Sequence, residues 1–195
     1  RMDADLACAG VRFSVLDAHG LQFGEPRPPF DVYRPILSPS GVAYFARELD
    51  ASEAVWSRTR GFPGDPVYRE FHRDVGFEAD AGALGEWTLP GGERRSTGLK
   101  THAIDGGPYH PDRAATRAKE HAAAFVASAT DRLAGVARAG IAKPVITAPF
   151  DAELFGHWWY EGPTFLAEVL PGTLIDGKKV NGDALGVPAG SILGT

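Results

Sequence analysis

The sequence predicts an α/β fold of parallel strands with helical crossovers, part of an α/β barrel or an open sheet. Three observations carry that expectation. An alternating apolar run, Val11 to Leu16, closes on the polar loop Asp17-Ala18-His19-Gly20. A long amphipathic helix is expected over Pro111–Ala139. A β-branched run, Pro144–Thr147, follows that helix and opens onto a loop rich in acids and aromatics. Strand, helix and strand in that order, with polar loops at the strand ends, is what a crossover connection leaves in a sequence.

Taken in order, Asp3 to Ala9 reads as the end of a helix, and Gly10 is a good stop. Val11 to Asp17 then reads as the first strand. A chain that opens on a helix end feeding a strand reads as one cut from something longer. Residues 21–40 hold five prolines and read as a long loop, functional or mobile. Val42 to Arg47 is expected as a second strand, and 56–66 as irregular. Tyr68–Val75 is expected to form a turn or two of helix, 79–97 no defined element, and Gly98–His102 a short strand. In the long helix, Pro111 suits the first turn and Gly140 the stop. Ala118, Ala122, Phe125, Val126, Ala129, Leu133 and Val136 fall near helical spacing. Pro163–Leu170 reads as one more short helix. No internal repeat or low-complexity tract interrupts the chain.

Composition narrows the classes. The chain has 195 residues, 44% of them apolar, enough for one domain with a real core. No apolar run reaches the ~20 residues of a spanning helix, so no membrane partner is expected. The first residues lack an apolar signal region. One cysteine, Cys8, forbids an internal disulfide and a cysteine zinc cluster, and fits a cytoplasmic home. The net charge of −5, with no basic cluster beyond Arg94-Arg95, argues against nucleic acid and suits a neutral ligand. Neither a phosphate-binding glycine loop nor a GxSxG elbow occurs.

The chemistry concentrates in 144–163. Asp151 stands just past the predicted strand, where α/β barrels place catalytic groups. Glu153, His157, Trp158, Trp159, Tyr160 and Glu161 come within the next ten residues. Acids beside flat aromatic faces suit sugar chemistry, and aromatic surroundings would raise the pKa of a general acid. Asp151 could equally cap the next helix. Glu153 and His157 share a helix face and, with Asp151, could bind a metal. Of the three consecutive aromatics, one is expected in the core and another in a cleft. Trp56, Arg58, Arg69, His72, Arg73 and Asp74 mix rings, donors and acceptors, as sugar-reading loops and ordinary surface loops both do. Tyr33, central in the proline-rich loop, reads as a lid residue or an anchored loop aromatic.

The run TAPFDAELFGHWWYEGP resembles the fourth signature region of glycoside hydrolase family fifty-seven, in particular of its 1,4-α-glucan branching enzymes. FSVLDAHG at 13–20, RPPFDVYRPI at 27–36, AVWSRTRGFPGDPVYREFHRDVGF at 54–77 and TGLK at 97–100 resemble the same enzymes in the same order. The resemblance covers about Val11 to Leu170. It implies a (β/α)₇ barrel, an incomplete TIM barrel with a loop-rich and helical insertion. It also implies retaining chemistry on an α-1,4-glucan, as in glycogen metabolism, with no metal or organic cofactor. By this resemblance Asp151 is the general acid/base. Arg58 and Gly76 lie in glucan-contacting segments, and Tyr33 matches the tyrosine of a mobile loop over the cleft. His19, His72, His157 and Trp159 carry over by neighbourhood.

The family's nucleophile, a glutamate, lies in a segment upstream of FSVLDAHG that this chain does not contain. Residues 1–170 are thus expected to be the C-terminal part of a catalytic barrel, and the Gly-rich residues 171–195 resemble nothing in the family. Negligible branching is expected from these residues alone, with self-association through an unpaired barrel edge. The rivals are a non-catalytic glucan-binding fragment, an α-amylase or 4-α-glucanotransferase of the same family, and, more distantly, a metallohydrolase.

Overall fold

A computed structural model of the chain describes residues 2–172, 174–175 and 178–179. They divide into two compact units, one of residues 2–61 with 127–151, the other of residues 62–126 with the described residues from 152 on.

The first unit opens with α1 (Met2–Cys8) and β1 (Phe13–Leu16). Asp17 ends the strand and caps α2 (Ala18–Gln22), its carboxylate accepting from the Ala18 N–H at 3.0 Å. The proline-rich stretch is not structureless. It holds a 3₁₀ turn at Asp31–Tyr33 and the short strand β2 (Ile36–Leu37). Next comes β3 (Ala43–Ala46), then α3 (Leu49–Trp56), capped by Glu48 through the Ala51 N–H at 2.7 Å. β1 and β3 pair in parallel, Phe13 opposite Ala43 through Leu16 opposite Ala46, as the crossover pattern requires. β2 flanks β3 on its other side, antiparallel, so the order is β1-β3-β2. Ala18, Leu21, Val32 and Ala46 form the core, with Leu16, Tyr33, Ile36 and Tyr44 packed on it. Burying each larger aliphatic side chain of this kind stabilises by roughly 1.5–3 kcal/mol.

The strand expected at Pro144–Thr147 forms only in part. A parallel bridge joins Thr147 to Arg47, the Glu48 N–H donates to the Thr147 carbonyl at 2.8 Å, and the Val145 N–H donates to that of Tyr33 at 2.9 Å. Two causes limit the ladder. Pro144 and Pro149 bracket the run and have no N–H to give. β2 already occupies that side of β3 at Ala43 and Tyr44.

The second unit contains α4 (Val75–Glu78), α5 (Ala81–Leu84) and the greater part of α6 (Pro111–Arg138), whose last turns belong to the first unit. Ala114, Ala118 and Ala122 make the buried stripe of α6, one residue every four. α7 (Gly162–Gly172) comes after a 3₁₀ turn at Ala152–Leu154. The core is aromatic. Trp159 lies 5.4 Å from Tyr68 and 5.0 Å from Phe165, ring centre to ring centre, and Phe125 meets Phe165 at 5.7 Å. The helix expected over Tyr68–Val75 is absent. Tyr68 to Glu70 run extended instead, pairing with 102–104 through Ile104 N–H to Tyr68 carbonyl and Glu70 N–H to His102 carbonyl, both at 2.9 Å. The strand expected at Gly98–His102 reduces to isolated bridges of this kind. Beyond α7, Leu174–Ile175 (β4) pairs antiparallel with Lys178–Lys179 (β5). Otherwise the expectation for 171–195 falls outside the described residues.

Candidate active site

Three strand ends of the first unit converge. β1 delivers Asp17, β3 delivers Arg47, and the bridged stub at Thr147 delivers Pro149, Phe150 and Asp151. These residues line an open cleft of about 750 Å³ together with Leu49, Ser52, Glu53, Trp56 and Ser57 of α3 and its end. The cleft therefore stands at the carboxyl ends of parallel strands, the end that carries chemistry in α/β folds. Arg47 ties it together. Its Nε lies 3.4 Å from an Asp17 carboxylate oxygen, and its Nη1 donates to the Pro149 carbonyl at 3.3 Å. Glu53 is engaged by Arg60. Trp56 is 53% exposed, so a ring face is open to a ligand. Asp151 is exposed as well. Asp151 leads into a single 3₁₀ turn, so the residue heads no α-helix.

Other expected site residues of this unit lie off the cleft lining. Tyr33 is half-buried, its hydroxyl donating to Glu48 Oε1 at 3.4 Å, while Arg132 donates to the same oxygen at 2.5 Å. Burial and the Glu48 charge push the tyrosine pKa up. The phenol is thus tied to the Glu48–Arg132 pair. His19 sits in the first turn of α2, exposed, with Nδ1 3.9 Å from Asp17. Arg58 is exposed in the turn after α3.

In the second unit, His72, His157 and Trp158 gather around Phe71, with ring centres 5.2, 5.1 and 4.5 Å from it. Glu153 organises the exposed side, accepting from Trp158 Nε1 at 3.1 Å and standing 3.7 Å from His157 Nε2. Gly156, at φ +97°, makes the turn that sets this group, its N–H donating to the Trp159 carbonyl at 2.8 Å. Trp159 itself is 2% exposed. Its ring packs against Tyr68 and Phe165. Its neighbours Trp158 and Tyr160 are the exposed pair. Gly76 is buried, and a Cβ there would fall on the Arg95 carbonyl oxygen. Close packing accounts for this glycine without a ligand.

Among the described residues no three of His, Cys, Asp and Glu gather as a metal site; Glu153 and His157 lie 3.7 Å apart beside Trp158. Nor, among those residues, is any helix long and apolar enough to cross a membrane. Sequence reasoning missed Arg47 as a site residue. A signal existed: it is the basic residue that directly ends the second strand.

No family model matches the chain. Individual relatives do. A protein named as a probable 1,4-alpha-glucan branching enzyme of Mycobacterium tuberculosis is 36% identical over 180 residues, 92% of this chain and 31% of the relative. Among solved structures, an alpha-amylase of Thermotoga maritima superposes with a TM-score of 0.79 at 41% identity, over 86% of this chain and 34% of the amylase. A GH57-type branching enzyme of Pyrococcus horikoshii superposes with a TM-score of 0.64 at 31% identity, over 87% of this chain and 28% of that enzyme. The chain spans about a third of the length of each of these three relatives.

Proposed function

We propose, from the premise that this chain is a partial-length relative of the glycoside hydrolase family fifty-seven enzymes, that its cleft is the acid/base side of an α-glucan transfer site. The single observation that carries this reading is the position of Asp151. It stands at the carboxyl end of the parallel pair, in an open cleft that also exposes the Trp56 ring. Asp151 is the general acid/base. It protonates the glycosidic oxygen as an α-1,4 bond breaks, then takes the proton of an acceptor 6-hydroxyl as an α-1,6 bond forms. A carboxylate nucleophile about 5–5.5 Å away completes a retaining site. In this reading the first unit is a sector of the (β/α)₇ barrel, and the substrate is an α-1,4-glucan of the glycogen or amylose kind.

A hydrolytic outcome is the second reading, favoured by the higher TM-score and identity of the amylase structure. Product analysis separates the two. The 195-residue chain is expected to bind maltoheptaose and to make no new α-1,6 linkages from amylose. Joined in frame to the upstream segment of a relative, it is expected to make them, as read by debranching and chain-length analysis. Asp151→Asn in that fusion should cut the rate by roughly 10²–10⁴-fold, the usual range for a lost general acid/base, with binding kept. Full turnover by the D151N fusion would overturn the assignment, and short maltooligosaccharides without branches would favour the hydrolase.

A further inference from the structure

We propose that Arg47 is the positioning residue for Asp151, clamping the acid-bearing segment to the end of β1. The proposal rests on the catalytic reading of Asp151 and deepens it. Arg47 is held at several points. Its own N–H donates to the Leu16 carbonyl at 2.9 Å, and it forms the parallel bridge with Thr147. Its guanidinium then reaches both ways, to the Asp17 carboxylate at 3.4 Å and the Pro149 carbonyl at 3.3 Å. Asp17 is fixed in turn by the Ala18 N–H at 3.0 Å.

The need for a clamp arises from the local sequence. Pro144 and Pro149 lack amide protons, so among the described residues the stub at 144–147 is held by its bridge to Arg47, with the Glu48–Thr147 backbone bond, and by the Val145–Tyr33 bond. Past Thr147 the segment carrying Asp151 leaves the sheet. The Arg47 fork grips it at Pro149, two residues before the carboxyl. Arginine suits the task because its planar fork serves two acceptors at once, whereas lysine's point charge serves them less well. With a side chain only 33% exposed, Arg47 loses little further freedom in making the contacts.

The test uses the full chain, labelled with ¹⁵N. Arg47→Ala is expected to leave the fold intact and to shift the amide resonances of Phe150 and Asp151, while those of the α7 residues stay put. Arg47→Lys should move them part of the way back, a rescue that general loss of packing would not show. Unmoved Phe150 and Asp151 resonances in a folded R47A chain would overturn the proposal, as would shifts of equal size in the α7 residues or no return toward the unaltered positions in R47K. Should R47A fail to fold, Asp17→Asn weakens the other arm of the clamp and is expected to shift the same two resonances. If the unaltered chain does not bind maltoheptaose, the glucan reading fails on its own, and the resonances still decide the clamp.

Discussion

Asp74 shows what one side chain can hold together. It is 3% exposed. One carboxylate oxygen accepts from the Gly76 N–H at 2.8 Å and from the N–H and hydroxyl of Thr97 at 2.9 and 2.8 Å. The other accepts from the Ser96 hydroxyl at 2.8 Å and the Gly98 N–H at 3.0 Å, with Lys100 at 3.5 Å. Burial pushes its pKa up, and the hydrogen bonds from Thr97, Gly76 and Ser96 outweigh burial, holding it well below the usual carboxylate range. Asparagine cannot accept all of these donors, so Asp74→Asn should cost about 3–5 kcal/mol by urea denaturation at pH 7, the scale of a broken buried charge network. The depressed value sets the sign with pH. The stabilisation is full above about pH 4, where the unfolded carboxyl ionises, and is lost as the pH falls toward the folded value, so the gap between D74N and the unaltered chain should narrow below that point. Gly76→Ala should be destabilising by about 1–3 kcal/mol in the same assay, because the loop at Arg95 must move off the new methyl. The sequence showed Asp74 as one polar residue among several. Nothing local announced that 96–100 would fold back onto it.

At the scale of elements, α6 was legible because its signal is local: helical spacing of apolar residues between a first-turn proline and a stop glycine. The stretch YREFHRDV misleads for the same reason. Tyr68, Phe71 and Val75 also sit at helical spacing, yet pairing with 102–104, far along the chain, decides its conformation. Such pairing leaves no local trace. Its consequence is a partly buried network between this stretch and α6. His121 of α6 stacks on Phe62 with ring centres 4.6 Å apart. Its Nδ1 lies 2.8 Å from the Tyr68 hydroxyl and its Nε2 3.5 Å from Asp65, which Arg117 also pairs at 3.0 Å. Burial pulls the His121 pKa below its ordinary value, Asp65 and Glu120 pulling the other way and Arg117 with it. The folded state therefore resists a proton that the unfolded chain accepts near pH 6.5, and stability should fall as the pH drops through that value toward the folded pKa. His121→Phe should flatten the dependence of unfolding free energy on pH between about 7 and 5. A slope unchanged in H121F would assign the pH response to other groups.

At the scale of the whole molecule, the same limit explains which parts of the site could be read. The placement of Asp151 past a strand end was legible because its motif is contiguous, whereas the Asp17–Arg47–Pro149 contacts join three separated strand ends and depend on the fold. Burial was invisible too. Trp158 and Trp159 are alike in sequence, and only packing against Tyr68 and Phe165 makes one a core residue. Trp159→Ala should cost about 3–5 kcal/mol and report on stability, not on binding. The sheet edge is a further property that only the assembled strands reveal. Among the described residues, β1 pairs with β3 on one side only, and its alternate residues Phe13 and Val15 are 50% and 41% exposed. An edge strand with free backbone donors and apolar side chains is a template for another copy of itself. Few charges guard it: within Phe13–Leu16 no residue is ionisable. The isolated chain should therefore associate with rising concentration, measured by light scattering on a sizing column. Val15→Lys places a charge on the exposed face of that edge, outside the cleft lining, and should shift the population toward monomer without lowering maltoheptaose affinity. A chain that stays monomeric at every concentration would show that β1 is protected by some other means. Association that persists in V15K would move the contact to a different surface.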